Sequence, residues 1–121
     1  DQTYYLANAA GVRGKTEIDL GVDPPPDLAT EAVATHDASE AVEVYRRLGV
    51  PEVWRFKTKS KKLWFGRLVD GKYETIDRSL NLPRLTTSLV LTALDKIDEL
   101  DEIPAKPWLR EWARNLPGPP A

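Results

Sequence analysis

Leu28-Ala29-Thr30-Glu31-Ala32-Val33-Ala34 is the stretch whose reading decides the fold. Nearly all of it is small or apolar, the signature of a strand covered on both faces. Just downstream, Asp37-Ala38-Ser39-Glu40 matches a capping pattern, with Asp37 accepting from exposed helix N–H groups and Glu40 reaching back. Ala38, Ala41, Val42, Tyr45 and Leu48 then recur at helical spacing and give that helix one apolar face. Arg46 and Arg47 suit its negative end, and Gly49 with Pro51 closes it. Val53-Trp54-Arg55-Phe56 reads as the next strand. Strand, helix and strand with short joints make a βαβ unit, so strands 28–34 and 53–56 are expected to run parallel with a right-handed crossover.

Working outward, residues 2–6 read as the end of a strand, and Glu17 to Val22 alternate with period two until Pro24-Pro25-Pro26 stops them. On the other side, Arg55 to Lys62 reads as a charged turn and Leu63 to Leu68 as a strand. Asp70-Gly71 is a two-residue hairpin signal leading into Tyr73-Glu74-Thr75-Ile76. Leu89, Val90, Ala93, Leu94 and Ile97 form one apolar helical stripe. Pro107 can open a last helix carrying Trp108, Trp112 and Leu116, which Pro117 ends. The expectation is an α/β domain over residues 1–121: a mixed sheet with a βαβ crossover, an antiparallel hairpin and C-terminal helices.

Composition narrows the function. A chain of 121 residues fits one domain and can bury a core without staples. It has no cysteine, which excludes disulfides and thiolate metal sites and suits a reducing, cytoplasmic setting. No apolar run approaches the roughly 20 residues of a membrane span, and no signal peptide opens the chain, so no membrane partner is expected. The chain lacks methionine and starts at Asp1 directly before a strand-like segment, which reads as a piece of a longer protein. A net charge of −2 speaks against a basic nucleic-acid coat but leaves room for a local patch. Arg55, Lys57, Lys59, Lys61 and Lys62 are the one basic run; it fits either a DNA backbone contact or a solvated hairpin tip.

Ala9 to Thr16 satisfies the relaxed Walker A pattern, yet a strand-like segment and three prolines follow where the phosphate-binding helix should start. No nucleotide cofactor is expected. His36, the single histidine, reads either as a loop-surface residue or as a general base. Asp95, Asp98, Glu99, Asp101 and Glu102 read as a solvated helix end, and Trp54 and Trp64 as core or cross-strand pairs.

Glu31 is the residue out of place. An ionised carboxylate in a covered strand costs several kcal/mol unless it is paired or takes up a proton. Either it pairs with an arginine such as Arg13 or Arg55, or it ligates a divalent cation together with a second acid. Asp27, four residues away at about 3.3 Å each, is too distant to share one ion. The second acid should come from a neighbouring strand, and the acid leading the first strand is Asp1.

Asp1 before a Tyr-rich strand, Pro26-Asp27-Leu28-Ala29-Thr30-Glu31, and above all Tyr45-Arg46-Arg47-Leu48-Gly49-Val50-Pro51-Glu52-Val53-Trp54 together resemble the Uma family of restriction-endonuclease-like proteins. That family belongs to the PD-(D/E)XK nuclease-like superfamily. The resemblance implies Mg²⁺-dependent hydrolysis of DNA phosphodiesters, with Mn²⁺ as a substitute. It implies Asp1 and Glu31 as metal ligands, with the backbone carbonyl of Ala32 as a further oxygen. It also implies that the family's first helix and strand precede Asp1, so that this chain is the C-terminal part of the nuclease-like domain. The motif lysine is absent: its place is Val33, and the alternative place one turn before Tyr45 is Ala41. Lys15 and Lys57 are the cations that could reach in from loops. Two hypotheses follow: a metal-dependent nuclease, acting as a homodimer if it cuts both strands, or a nuclease-fold module that binds DNA or a protein partner without cutting.

Overall fold

The computed structural model describes residues 2–6, 8–14, 17, 23–34, 39–99 and 102–117. The deciding stretch becomes strand β2 (Leu28–Val33), followed by helix α1 (Ser39–Leu48) and strand β3 (Glu52–Lys57). β2 and β3 are parallel in the register Leu28↔Glu52 through Val33↔Lys57, as the βαβ reading requires. The stop of α1 follows from Gly49, whose φ of +76 only glycine adopts cheaply. Gly49 N–H donates to the Arg46 carbonyl and Val50 N–H to that of Tyr45, the paired bonds of a Schellman motif.

β1 (Gln2–Tyr4) adds antiparallel to β2, and β4 (Lys62–Val69) adds antiparallel to β3, followed by β5 (Lys72–Ile76). The five-stranded sheet therefore runs β1-β2-β3-β4-β5 with one parallel pair inside antiparallel neighbours. Asp70 and Gly71 both take positive φ, 49 and 77, as a two-residue type I′ hairpin demands. Helices α2 (Thr87–Glu99) and α3 (Glu102–Arg114) complete the chain.

Alternation along the strands assigns the faces. Ala29 and Val53 meet Val42, Tyr45 and Leu48 of α1, with Val50, Trp64 and Tyr73 joining the same cluster. The Tyr73 hydroxyl donates to the Val50 carbonyl at 2.6 Å and burial pushes its pKa up to about 12. On the opposite face Trp54 stacks on its register partner Phe65 at 4.3 Å, and Phe65 is fully buried. α2 packs on β4 and buries Ala93 from its apolar stripe; α3 packs on α2.

Three expectations change. The strand read as 53–56 extends to Lys57, because Arg55 and Lys57 alternate with Trp54 and Phe56 and pair with β4, and the turn read as Arg55 to Lys62 is confined to residues 58–61. Pro107 lies inside α3 and does not open it. Pro104 sits in the first turn, where its missing N–H costs nothing, so Pro107 alone forfeits one interior bond; the Trp108–Trp112 stack at 6.1 Å bridges that turn. The first strand is shorter than expected, ending at Tyr4 because Leu6 and Asn8 N–H turn to the Asp27 carboxyl group instead of a neighbour's backbone. Of the alternating segment Glu17 to Val22, only Glu17 is described, in a bend. The Asp37 cap lies outside the described residues, as does the Glu40 side chain.

Candidate active site

Register and pleat place Glu31 and Val33 of β2, Arg55 and Lys57 of β3, and Trp64 and Lys62 of β4 on the face that carries α1. They lie toward the carboxyl ends of the one parallel pair, where open α/β sheets present ligand sites.

Glu31 is enclosed. Its side chain is 5% exposed, and Arg55 Nε stands 4.0 Å from Oε2. That is beyond hydrogen-bond reach, and both atoms are buried without any hydrogen-bond partner. Desolvation pushes the Glu31 pKa up, and the Arg55 charge only partly opposes it. Burial, with Glu31 adding to it, raises Tyr45 as well. The Arg55 pairing foreseen from sequence is thus present as proximity without a bond. Arg13 is exposed and has no recorded contact with Glu31.

Beyond Arg55 the same face opens into a cleft of about 340 Å³ lined by Val42, Arg55, Lys57, Lys62, Leu63 and Trp64. Trp64 lies flat over Gly66: a Cβ at residue 66 would come within 2.2 Å of the indole. The indole N–H donates to Thr75 Oγ1 at 2.9 Å and the ring meets Tyr73 edge-on at 6.4 Å, which fixes one wall of the cleft. The basic run therefore divides in two. Arg55, Lys57 and Lys62 turn into the cleft, whereas Lys61 reaches Asp95 and Asp98 of α2 at 3.8 and 3.9 Å and Lys59 stays exposed in the turn.

Of the other residues singled out, Asp1, Lys15 and His36 lie outside the described residues. Ala32 is in β2 and exposed. The described part of the Walker-like segment is a 3-10 turn, Ala9–Gly11. Asp27 Oδ2 accepts Leu6 N–H and Asn8 N–H at 2.7 and 2.8 Å, so this acid closes a loop. Leu109, Trp112, Ala113 and Leu116 of α3 line an apolar groove together with residues 81–85. No group of three or more acids or histidines among the described residues forms a ready metal cage.

Sequence reasoning missed Glu52. It is fully buried on the face opposite Glu31, where Oε2 accepts from Trp54 Nε1 and Ser79 Oγ at 2.6 and 2.7 Å. Oε1 accepts from both the backbone and side-chain nitrogens of Asn81, each at 2.8 Å. Asn81 Nδ2 also reaches the Asp27 carbonyl, tying β2, β3 and the loop after β5 together. The available signal was local: Glu52 sits between Val50-Pro51 and Val53-Trp54, an acid set among apolar residues just as Glu31 is.

These features define a mixed α/β protein whose parallel pair carries a buried acid, one oxygen of which lacks a hydrogen bond, beside a cationic cleft. A family model agrees with that class: the Uma2 family, described as "Putative restriction endonuclease", matches residues 1–98, and the chain belongs to this family. No curated protein and no solved structure matches the chain significantly.

Proposed function

We propose that the protein is a restriction-endonuclease-like DNA phosphodiesterase that depends on Mg²⁺ or Mn²⁺, with Glu31 as a metal ligand. The observation that carries this reading is the buried Glu31 Oε2 with no hydrogen-bond partner. A carboxylate in that position is costly as it stands and becomes favourable once a cation meets it. Family membership supplies the restriction-endonuclease-like type.

Asp1 is proposed as the second ligand. Gln2 stands opposite Thr30 in the antiparallel pair, and Asp1 and Glu31 are their immediate neighbours in sequence. Directly opposed residues of an antiparallel pair share a face, with Cβ atoms about 4.5–5.5 Å apart, a spacing at which two carboxylates can share one ion. The Ala32 carbonyl would add a further oxygen, consistent with an all-oxygen donor set for a hard divalent cation. When bound, the ion supplies Lewis-acid polarisation of a phosphate oxygen and acidification of a water. The chain itself holds the acid dry and keeps Arg55 nearby without a bond that would have to be broken. We further propose that residues 1–121 are the C-terminal part of one nuclease-like domain.

A second reading is a module that binds DNA without cutting. Val33 and Ala41 stand where the family resemblance expects a lysine, and the cleft cations can serve binding alone. Calorimetric titration with Mn²⁺ is expected to show one site in the wild type and none in Glu31→Ala; identical isotherms would refute the metal centre. Nicking of supercoiled plasmid by the full-length protein, dependent on Mg²⁺, then separates cutting from binding. No helix among the described residues is long and apolar enough to cross a membrane.

A further inference from the structure

We propose that the cleft lined by Arg55, Lys57 and Lys62 is a phosphate subsite, and that Lys57 is the catalytic cation meeting the phosphate that reacts. The inference rests on the phosphodiesterase reading above and deepens it by assigning residues that reading leaves unassigned.

Lys57 and Lys62 are directly paired across β3 and β4, and both line the cleft with Arg55. Like charges directly opposite each other destabilise a sheet. Among the described residues no carboxylate lines the cleft, and neither Lys57 nor Lys62 forms an ion pair there, whereas Lys61, one residue from Lys62, takes both Asp95 and Asp98. A solvated hairpin tip would spread such charges outward. Here three cations converge on one concavity, an arrangement that an anion stabilises.

Arg55 shares a rung with Glu31 and Lys57 shares the rung of Val33, two residues further along the same face. From the strand rise and spacing, the Lys57 backbone lies about 8 Å from that of Glu31, so its long side chain and the Glu31 carboxyl group can approach one phosphate from two sides. Arg55, between them, stands 4.0 Å from Glu31 and offers a planar fork for a second phosphate oxygen. Trp64, pinned over Gly66, keeps the wall apolar and limits competing water.

The reaction balances without a redox partner. One water oxygen bonds to phosphorus, one ester P–O bond breaks, and the water's proton ends on the departing oxygen, giving a phosphomonoester and a hydroxyl. Lys57 Nζ donates a hydrogen bond to a non-bridging oxygen as charge grows there.

The full-length protein carrying Lys57→Met is expected to lose about 10²–10³-fold in single-turnover cleavage, the usual loss when one such charge stabiliser is removed. Its Mn²⁺ isotherm should match the wild type, and its Tm should be equal or higher because the repulsion with Lys62 is gone. In EDTA, a fluorescent oligonucleotide duplex should bind several-fold more weakly, with the slope of log K against log salt reduced by about 1. Adding Val33→Lys, which returns an ammonium to the neighbouring strand on the same rung, should restore most of the cleavage. Lys61→Met should change nothing. If Lys57→Met cleaves at the wild-type rate while Mn²⁺ binding is intact, the assignment of Lys57 is overturned and the phosphodiesterase reading stands. A Mn²⁺ response indifferent to Glu31→Gln sinks that reading instead, and a wild type that neither binds the duplex nor cuts it sinks both.

Discussion

Two buried glutamates on adjacent strands have opposite fates. Glu52 opens β3, points to the face opposite α1, and each of its oxygens accepts two hydrogen bonds. Glu31 lies three rungs further along β2, points to the α1 face, and keeps an oxygen with no donor and a guanidinium at 4.0 Å. The residue type is the same and so, nearly, is the burial. What differs is whether the fold delivers donors. At Glu52 it brings a Trp, a Ser and an Asn from up to 29 residues away to satisfy the acid, and the acid becomes a structural tie. At Glu31 it leaves the acid expensive. The fold thus satisfies one buried acid completely and leaves an oxygen of the other without a donor, toward the end of the β2–β3 parallel pair.

The same isosteric change should separate the two sites most sharply. Glu52→Gln puts an amide where donors converge, and is expected to cost about 3 kcal/mol in a urea titration, since buried donors lose their acceptor. A loss below about 1 kcal/mol would mean the network is not what holds the loop after β5. Asp27→Ala removes the acceptor shared by Leu6 and Asn8 N–H and should cost about 2 kcal/mol, read as a lower Cm at unchanged m. Glu31→Gln should change stability least, by less than about 1 kcal/mol in metal-free buffer, because Oε2 accepts no hydrogen bond and only the 4.0 Å ion pair with Arg55 is given up.

Glu31 has a pKa raised above its ordinary 4.5, so its share of stability is fully present below 4.5 and lost as pH rises through the raised value. Wild type minus Glu31→Gln should therefore show stability falling across that window. Glu43 on α1 runs oppositely: the Arg46 hydrogen bond holds it at about 2, and its contribution is lost only as pH falls from 4.5 toward that value. Thermal melts of the two proteins between pH 4 and 8 check this, and parallel curves would remove the claim that Glu31 is desolvated.

The elements were legible where the pattern is local. The 2.0 and 3.6 periods gave β2, α1, β3 and the α2 stripe, and Asp70-Gly71 gave the hairpin turn, because each depends on neighbours in sequence. Glu31 stood out for the same reason, as one acid in an apolar run. Glu52 did not, because its partners Ser79 and Asn81 lie in a loop that no periodicity connects to β3. The cationic cleft was harder to see because Arg55 and Phe56 fit both a strand over 53–56 and a charged turn over 55–62, whereas Trp54-Arg55-Phe56-Lys57 alternates throughout as a strand does. Charge content argued for solvent; the period argued for a face, and the period was the better guide. The Pro107 helix start failed differently, since a proline in the sixth position of a helix that packs on another can be tolerated at one bond's expense.

Gly66 gives the sheet a vacancy that another residue's ring fills. Because the indole of Trp64 rests where a methyl would stand, the shape of the cationic hollow is dictated by an atom the chain does not have. A substitution at residue 66 would leave every charged group in place and still displace the wall they share, so an alteration with no chemistry of its own would register as a change in what the hollow accepts.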